Sequence, residues 1–484
     1  MIIMSVTTRV AKNSGFLILA SVITNVIMFL LTLVTARYLG TFNFGLISSA
    51  LSAVGIFGVF CDLGLGYYAI QKVSRDHSLT SRYFGTAFVL RLILSVLTFF
   101  AFVIFSYLGG FTGDAFGVMI VIGFYMFFNS LTSFYFSLYQ SNEEMHFQTI
   151  VNTVYNVGVF VIALLFIYLG YNVVWIAAAY PLAMIISFIL GSAIKVKHYP
   201  KFTYDFSRDF LKEIVVNSIP FGITSVFTSI YFWIAAIILT FMSGSVAVGL
   251  FSSSQKLILV LSGLFALISS AVFPVMSQLF VDDRDKLNDL YQKMLKFMLI
   301  LGVPIAVGSS IYSMDIINIV FGSEFLEASL CLSVLMWAVI FMFLSGTTST
   351  LLNAINKQFL VTKVAMFGAI FSVIVNYILI SKYSYVGASM TSVLTELLVL
   401  VLMLYSLHKT DFSLNIKSTV KPVVQVLAAN IVMAVVLLYL NLPFIAGVVV
   451  AVVVYTVCLF VTGAINKEDR EIIFGLIEQV RNRG

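Results

Sequence analysis

The chain contains one stretch of sequence twice. Positions 13–49 have the sequence NSGFLILASVITNVIMFLLTLVTARYLGTFNFGLISS, and positions 217–253 have NSIPFGITSVFTSIYFWIAAIILTFMSGSVAVGLFSS. The two copies lie 204 positions apart, align without a gap and share ten identities in 37 positions. Each copy starts with polar residues, continues as an apolar run of helix length, and turns at a glycine, Gly40 or Gly244, into a second apolar run. A repeat of this period predicts two similar lobes, a plan that membrane transporters use.

The composition is that of a membrane protein. Of the 484 residues, 61% are hydrophobic and 10% are charged, whereas soluble proteins have about 25% charged residues. Apolar runs of about 20 residues recur along the chain and predict membrane-spanning helices, since barrel strands are shorter and alternate. The net charge of +6 comes from short loops and does not indicate nucleic acid binding. The three cysteines lie in apolar runs and predict neither a disulfide framework nor a metal site.

The apolar runs predict fourteen spans. They lie near 14–35, 44–70, 83–108, 114–140, 148–169, 172–194, 214–242, 246–274, 294–312, 328–352, 359–380, 384–407, 420–440 and 443–464. The terminal segments and every second loop contain 23 of the 27 Lys and Arg residues, and the opposite loops contain two, Arg37 and Lys382. Because basic residues stay on the cytoplasmic side, we expect a multi-pass protein of the cell membrane with both termini in the cytoplasm.

The repeat and the linker divide the chain into four parts. We expect an N-terminal six-helix lobe at 1–194, a cytoplasmic linker at 195–213, a C-terminal six-helix lobe at 214–407, and two additional helices with a tail at 408–484. Six spans precede the linker and six follow it, so the two lobes have parallel orientation in the membrane.

No catalytic motif occurs in the sequence. There is neither a P-loop nor a histidine cluster, so we expect no enzyme, no metal and no cofactor. Charged side chains inside spans become the candidate functional residues, because each costs roughly 2.5–3.5 kcal/mol at a helix centre and a retained one needs a reason. Four charged residues lie well away from the ends of their spans: Asp62, Arg91, Lys256 and Glu396.

Lys256 lies ten residues into its predicted span and therefore about 15 Å from its end, and Glu396 lies near the middle of its span. We expect its ammonium to bind an anionic head group; the alternative is an ion pair with Glu396 that only locks helices. Arg37, at the outer end of the first span, is a further candidate for substrate contact, although its long side chain reaches water easily there.

Asp62 and Arg91 lie at equal depth, each eight residues from the cytoplasmic end of its span. Equal depth on consecutive antiparallel helices favours a structural ion pair. The alternative is that Asp62 faces a cavity and carries a coupling proton or cation. Glycines crowd the span that contains Asp62, which indicates either close helix packing or a hinge.

The fourth span has an aromatic face. Tyr125, Phe128, Tyr135 and Tyr139, with Thr132, recur at spacings of three and four residues, which places them on one side of a helix. Such a face could stack on sugar rings, or it could pack against lipid and neighbouring helices.

Three short motifs provide a resemblance. They are Thr35-Ala36-Arg37-Tyr38-Leu39-Gly40, Phe44-Gly45 and Asp62-Leu63-Gly64-Leu65-Gly66. With the span layout they resemble the polysaccharide transporter family, the flippases of O-antigen and repeat units, in the multidrug/oligosaccharidyl-lipid/polysaccharide flippase superfamily. The two additional helices are similar to those of fourteen-span members, which include lipid II flippases.

The resemblance implies a flippase. Members of the family have two six-helix lobes around a central cationic cavity, and they move polyprenyl-pyrophosphate-linked oligosaccharides from the inner to the outer leaflet. It therefore implies a lipid-linked substrate in the bilayer, pathway partners such as a glycan polymerase and glycosyltransferases, and a monomer that works by alternating access. Since no ATP site occurs, the expected driving force is either a proton or sodium gradient or the downstream consumption of the product.

Two other functions are compatible with the sequence. One is a cation-coupled multidrug exporter of the same superfamily, which would favour carboxylates over the cation Lys256. The other is a membrane glycan polymerase or ligase, which typically needs a large external loop. The longest outer loop, 313–327, is short and offers only Asp315, Glu324 and Glu327.

Overall fold

A computed structural model describes most of the chain. It places the backbone of residues 2–410, 412 and 416–464, and the side chains of residues 24, 26–410, 412 and 420–464. Within these residues all regular secondary structure is helical, without a strand. This confirms the predicted all-α class, because a backbone in lipid must satisfy its own hydrogen bonds and a helix does so within one segment.

The described part of the chain forms thirteen α-helices. In chain order they are α1 (Ile2–Phe60), α2 (Leu65–Val73), α3 (Thr80–Leu108), α4 (Gly113–Ser141), α5 (Met145–Tyr168), α6 (Val173–His198), α7 (Arg208–Asp282), α8 (Arg284–Ile311), α9 (Ser313–Val320), α10 (Ala328–Ala354), α11 (Gln358–His408), α12 (Ile416–Leu440) and α13 (Phe444–Val461). Short 3₁₀ turns occupy His77–Leu79 and Ser323–Phe325. Eleven of the described helices are long and apolar enough to cross a membrane.

Three of these eleven helices are broken by a residue with non-helical backbone angles. The residue is Gly40 in α1 (φ 69°, ψ 178°) and its copy Gly244 in α7 (φ 79°, ψ −179°), a conformation that glycine tolerates because it has no Cβ atom. The third is Ser384 in α11 (φ 50°). Dividing three of the eleven described helices in this way leaves fourteen straight segments. The number of membrane crossings stays a prediction.

The chain packs as two compact units. The first comprises residues up to 253 together with 369–388, and the second comprises 254–368 and the described residues from 389 onward. These units differ from the lobes expected at 1–194 and 214–407, because the first half of α7 packs against α1. The division into lobes, linker and additional helices follows the sequence repeat and stays a prediction.

The two copies of the repeat contact each other just beyond their breaks. A Cβ atom added to Gly45 would lie 1.8 Å from the backbone oxygen of Ser245, and one added to Gly249 would lie 2.2 Å from that of Thr41. The two contacts are equivalent, because Ser245 is the copy of Thr41 and Gly249 is the copy of Gly45. The backbones therefore approach each other symmetrically, at a distance that only glycine permits.

The first half of α7 then continues along α1 to the turn that follows it. A Cβ atom on Gly55 would lie 2.4 Å from Nε1 of Trp233, and one on Gly64 would lie 2.6 Å from the backbone nitrogen of Gly222. Gly55 thus serves close helix packing, whereas Gly64 has a left-handed backbone (φ 85°) in the turn at 61–64 that interrupts the span predicted over 44–70.

In the second unit, α13 packs on α8. The Tyr455 hydroxyl donates to the backbone oxygen of Ile300 at 2.9 Å. The Tyr312 ring, at the end of α8, occupies the space where a Cβ atom of Gly447 would lie. Since α12 also packs on α8, both helices without a counterpart in the repeat are anchored within this unit.

Candidate functional site

Lys256 lies in α7, twelve residues beyond the break at Gly244. At about 1.5 Å per residue this is roughly 18 Å along the helix. Its side chain is half-buried. A new straight segment of α7 begins after Gly244. Lys256 lies well inside this long apolar segment.

Lys256 projects from the face of α7 that is opposite to the packed face. Three residues of α7 contact α10, namely Ser254, Phe265 and Ser269. At about 100° per residue these three project roughly 160–220° away from Lys256 around the helix. The ammonium is therefore directed away from the helix pair that α7 and α10 form.

The helix face around Lys256 is open. Gly263, seven residues further along on the same side, would have no neighbouring atom within 4 Å of an added Cβ atom. Leu259 and Val260, three and four residues beyond Lys256, are 40% and 53% exposed. The ammonium thus borders apolar surface that no other part of the unit covers, an arrangement that leaves room for a ligand.

The alternative ion pair between Lys256 and Glu396 does not form in this structure. Among the described side chains, the ion pairs and hydrogen bonds do not include the Lys256 ammonium. Glu396 lies half-buried in α11 and has an interaction of its own. The structure therefore does not bring these two candidate residues together as partners.

Arg91 and Asp62 are brought together. Arg91 Nη1 lies 2.5 Å from Asp62 Oδ1, and Arg91 also donates from Nε to Ser130 Oγ at 3.0 Å and from Nη2 to Ser133 Oγ at 2.7 Å. Asp62 Oδ1 also accepts the backbone N–H of Gly66 at 3.0 Å. The Arg91 side chain is only 6% exposed. Because each charged group has several partners, this network suits a structural role better than the binding of a mobile ion.

Arg37 is exposed on α1, three residues before the break at Gly40. The adjacent Tyr38 hydroxyl donates to the backbone oxygen of Tyr171 at 3.3 Å. The guanidinium therefore lies at the end of a straight helical segment, as expected from the sequence, and its role in substrate contact stays a prediction.

The aromatic face of α4 packs inside the first unit. Tyr125 stacks on Tyr155 with ring centroids 5.9 Å apart, and Phe128 contacts Phe188 at 5.9 Å. Leu31 of α1 belongs to the same core cluster. These contacts correspond to the packing alternative for this face.

Tyr135 and Tyr139 are the most buried aromatic residues of that face. The Tyr139 side chain is fully buried, and its hydroxyl donates to the backbone oxygen of Gly191 at 2.9 Å. Ser192 donates to the Tyr135 hydroxyl at 3.1 Å. In this conformation Tyr139 offers no surface to a sugar ring, because α6 covers it.

A cluster that the sequence did not reveal centres on Glu213, near the start of α7. Its Oε1 accepts hydrogen bonds from Tyr68 (2.9 Å), Lys72 (3.0 Å) and Tyr83 (2.8 Å). These donors belong to α2 and α3, so the cluster fastens the beginning of α7 to both helices. The cluster lies on the side that the Lys and Arg distribution predicts to be cytoplasmic.

A second set of contacts holds the linker against α3. Arg82 donates from Nε to Asp205 at 3.0 Å, the backbone N–H of Asp205 donates to Thr86 at 3.0 Å, and that of Thr203 donates to the backbone oxygen of Ser81 at 3.1 Å. The linker therefore belongs structurally to the first unit, although its polar composition resembles a free connection.

The charges of these contacts persist over the physiological pH range. The hydrogen bond with Glu213 raises the pKa of the Lys72 ammonium above its usual value. Hydrogen bonds from Ser207, followed by that from Arg82, lower the pKa of Asp205 to about 2.

No sequence spacing predicts these pairs, since Glu213 lies 141 residues from Lys72. A carboxylate at a helix end ordinarily indicates only a solvated helix start.

Comparison with known sequences adds further evidence. Residues 10–280 match the protein family described as "Polysaccharide biosynthesis protein". The capsular polysaccharide biosynthesis protein CapF of Staphylococcus aureus is 25% identical over 406 residues, which cover 81% of this chain and 97% of CapF. The probable low-salt glycan biosynthesis flippase Agl15 of Haloferax volcanii is 22% identical over 391 residues, which cover 80% of each chain.

Solved structures show the same fold. The lipid II flippase MurJ in an inward closed conformation has a TM-score of 0.74 and 17% identity, over 92% of this chain and 97% of MurJ. An inward-facing multidrug resistance transporter of the MATE family, from the MOP superfamily, has a TM-score of 0.64 and 17% identity, over 79% of this chain and 96% of the transporter. At this level of identity the likeness concerns the fold.

Proposed function

Because the chain belongs to the polysaccharide biosynthesis protein family, we propose that it moves a lipid-linked oligosaccharide across a membrane. It is then a transporter of the multidrug/oligosaccharidyl-lipid/polysaccharide superfamily and not an enzyme. The relatives described as a capsular polysaccharide biosynthesis protein and a glycan biosynthesis flippase support this class of substrate.

The single observation that supports an anionic substrate is the environment of Lys256. Its ammonium lies on an open helix face and has no ion pair or hydrogen bond with another described residue. A cation without a partner is costly inside a membrane, so its retention favours a ligand of opposite charge. The pyrophosphate of a polyprenyl-pyrophosphate-linked oligosaccharide has that charge.

We further propose the direction and the energy source. The substrate moves from the cytoplasmic to the outer leaflet of the cell membrane, for cell-surface polysaccharide synthesis, and both termini are cytoplasmic. Glycosyltransferases would supply the substrate and a glycan polymerase would consume it. A proton or sodium gradient would drive alternating access, because the sequence contains no ATP-binding motif.

The test is flipping of a labelled polyprenyl-pyrophosphate oligosaccharide by the purified protein in proteoliposomes. We expect Lys256→Ala to abolish flipping while the protein still inserts and folds. Lys256→Arg should keep part of the activity because it keeps the charge, and Lys256→Glu should be as inactive as Lys256→Ala. The matched control is Lys382→Ala, an exposed lysine of a predicted outer loop, which should flip at the wild-type rate.

Two results would contradict the proposal at different levels. Full activity of Lys256→Ala would remove this residue from the binding site and leave the function intact. Wild-type protein that flips no lipid-linked oligosaccharide under any gradient would overturn the function itself.

A cation-coupled multidrug exporter is the second candidate, favoured by the fold likeness to the MATE transporter. A cationic drug calls for an accessible carboxylate, and Asp62 is engaged by Arg91. Export of a cationic dye by the same proteoliposomes distinguishes the two: dye export that Asp62→Asn abolishes, without lipid flipping, would favour the exporter.

A further inference from the structure

A proline interrupts the backbone hydrogen bonding of α8. Pro304 lies well inside this helix, which continues through it to Ile311. Because proline has no backbone N–H, the backbone oxygen of Ile300, four residues earlier, loses its usual helical donor. Inside a membrane such an oxygen is costly unless a neighbouring helix supplies a donor. Ile300 therefore needs a hydrogen-bond donor from outside α8.

The donor comes from α13. The Tyr455 hydroxyl donates to the backbone oxygen of Ile300 at 2.9 Å. Tyr455 is buried, with 7% of its surface exposed, so little solvent reaches this contact. The phenol hydroxyl thus takes the place of the N–H group that Pro304 lacks, although the two bonded residues are 155 positions apart in the chain.

A second contact with α8 lies on the other side of the proline. A Cβ atom added to Gly447 would lie 1.9 Å from the hydroxyl oxygen of Tyr312, the residue directly after α8. The same hydroxyl donates to the backbone oxygen of Leu442 at 3.3 Å, and the Tyr312 ring packs edge-on against Phe444 with centroids 5.6 Å apart. The region of α13 therefore holds α8 both before and after Pro304.

The counterpart of α8 in the first half has neither the proline nor this cover. The counterpart is α3, since the first residues of the two helices lie 204 positions apart, which is the offset of the repeat. Val96 and Phe100 stand at the positions of Ile300 and Pro304, and they are 39% and 60% exposed. The Phe100 N–H can bond within α3, so no hydroxyl from another helix is needed there. The proline and the hydroxyl that replaces its N–H occur together, in the half that has the two additional helices.

We propose that α12 and α13 act as a clamp on α8, in which the Tyr455 hydroxyl holds the helix at its proline. Without the clamp, Pro304 would be a flexible point, because a missing hydrogen bond lets the two parts of a helix bend against each other. With the clamp, α8 and the two additional helices form one rigid element of the second unit.

α12 belongs to the same clamp. It packs along α8, and Gln425 Nε2 donates to the backbone oxygen of Thr462 at 2.5 Å, which ties α12 to the end of α13. This conformational device goes beyond the proposed transport activity and does not depend on which substrate is moved.

Hydrogen–deuterium exchange of the full-length protein in detergent, measured by mass spectrometry, tests the clamp. Tyr455→Phe keeps the ring and removes only the hydroxyl. We expect the backbone amides of residues 301–308 to exchange about fivefold faster in this variant, because a buried hydrogen bond that restrains local opening is lost. The matched control is Tyr439→Phe, which removes the hydroxyl of an 87% exposed tyrosine of α12. Exchange of residues 301–308 in this control should equal that of wild type.

A second background shows whether the hydroxyl acts through the proline. Pro304→Ala supplies the missing N–H and suits a helix, so Ile300 regains a donor within α8. Adding Tyr455→Phe to Pro304→Ala should then accelerate exchange of residues 301–308 by less than about twofold, because the two changes affect the same oxygen.

Three results would overturn the proposal. The first is equal exchange of residues 301–308 in wild type and Tyr455→Phe. The second is the same acceleration by Tyr455→Phe with and without Pro304→Ala, because the hydroxyl would then act independently of the proline. The third is an equal acceleration in Tyr439→Phe, because the loss of any tyrosine hydroxyl from these helices would then explain the effect. None of these readouts depends on transport.

Discussion

Arg91 and Lys256 are both cations inside long apolar helices, and their surroundings differ completely. Arg91 is held by Asp62, Ser130 and Ser133 within 3.0 Å. Lys256 pairs with no other described residue and lies on an open face of α7. Both positions look equally costly in the sequence, since insertion energetics depend on residue type and depth.

The difference separates two uses of intramembrane charge. A charge that has all its partners within the chain contributes to a specific fold, and removing one partner leaves the other unpaired. A charge without partners is a cost to the fold and is retained for another reason, here the proposed binding of pyrophosphate. The contrast predicts opposite effects on stability and transport for the two residues.

The largest effect on stability is expected at Arg91. Arg91→Gln should lower the free energy of unfolding by about 3–5 kcal/mol, because it leaves the Asp62 carboxylate without its counter-charge. Lys256→Gln should not lower it, because no contact with another described residue is lost and the cost of an unpartnered charge is removed. Thermal unfolding of the purified variants in detergent provides the measurement.

A double variant tests the pairing directly. Asp62→Asn/Arg91→Gln removes both charges and should recover a large part of the stability that Arg91→Gln loses. If Lys256→Gln destabilised the protein as much as Arg91→Gln, the contrast between the two cations would be wrong.

An intermediate effect is expected where the two copies of the repeat touch. Gly45→Ala should cost about 1–3 kcal/mol, because its Cβ atom would meet the backbone of Ser245. Gly249→Ala should cost a similar amount, since its contact is equivalent. Gly58→Ala is the matched control on the same helix, because its nearest neighbour would lie 4.0 Å away. Unfolding curves of the three variants would reveal any asymmetry; a cost at Gly45 no larger than at Gly58 would contradict the close contact.

The smallest effect is expected at the polar cluster outside the spans. Glu213→Gln should cost under about 1 kcal/mol, because both members of the Lys72–Glu213 pair are more than a third exposed and water screens them. The loss should shrink further in 1 M salt. Asp209→Asn, an exposed carboxylate on the same helix, is the control and should leave the melting temperature unchanged. A salt-independent loss of several kcal/mol would show that the cluster acts as a buried ion pair.

Much of the fold could be predicted from the sequence. The repeat located the two breaks, and Gly40 and Gly244 adopt nearly the same backbone angles. The apolar runs predicted the helices, and eleven described helices have the length and hydropathy to cross a membrane. The family resemblance, based on short glycine-containing motifs, agrees with the match over residues 10–280.

Only part of the candidate site could be predicted from the sequence. The four intramembrane charges were found from residue type and depth, and the equal depth of Asp62 and Arg91 suggested that they could meet. In the sequence, the aromatic side of α4 was compatible with sugar stacking and with packing. The structure favours packing, because α6 covers Tyr139. No sequence pattern indicated a role for Glu213, because its partners are separated from it by 130 residues or more.

The type of each residue and of its near neighbours in the chain thus accounts for the helices, the breaks at Gly40 and Gly244, and the positions of the charges. The physical reason is that backbone preference and the cost of placing a side chain in lipid depend on the residue and its near neighbours. The tertiary structure alone decided that Gly45 and Gly249 meet reciprocally, that Arg91 has Asp62, Ser130 and Ser133 as partners, and that Lys256 lies on an open helix face. These depend on contacts between helices distant in the chain, where equally apolar faces have no local preference for one neighbour over another.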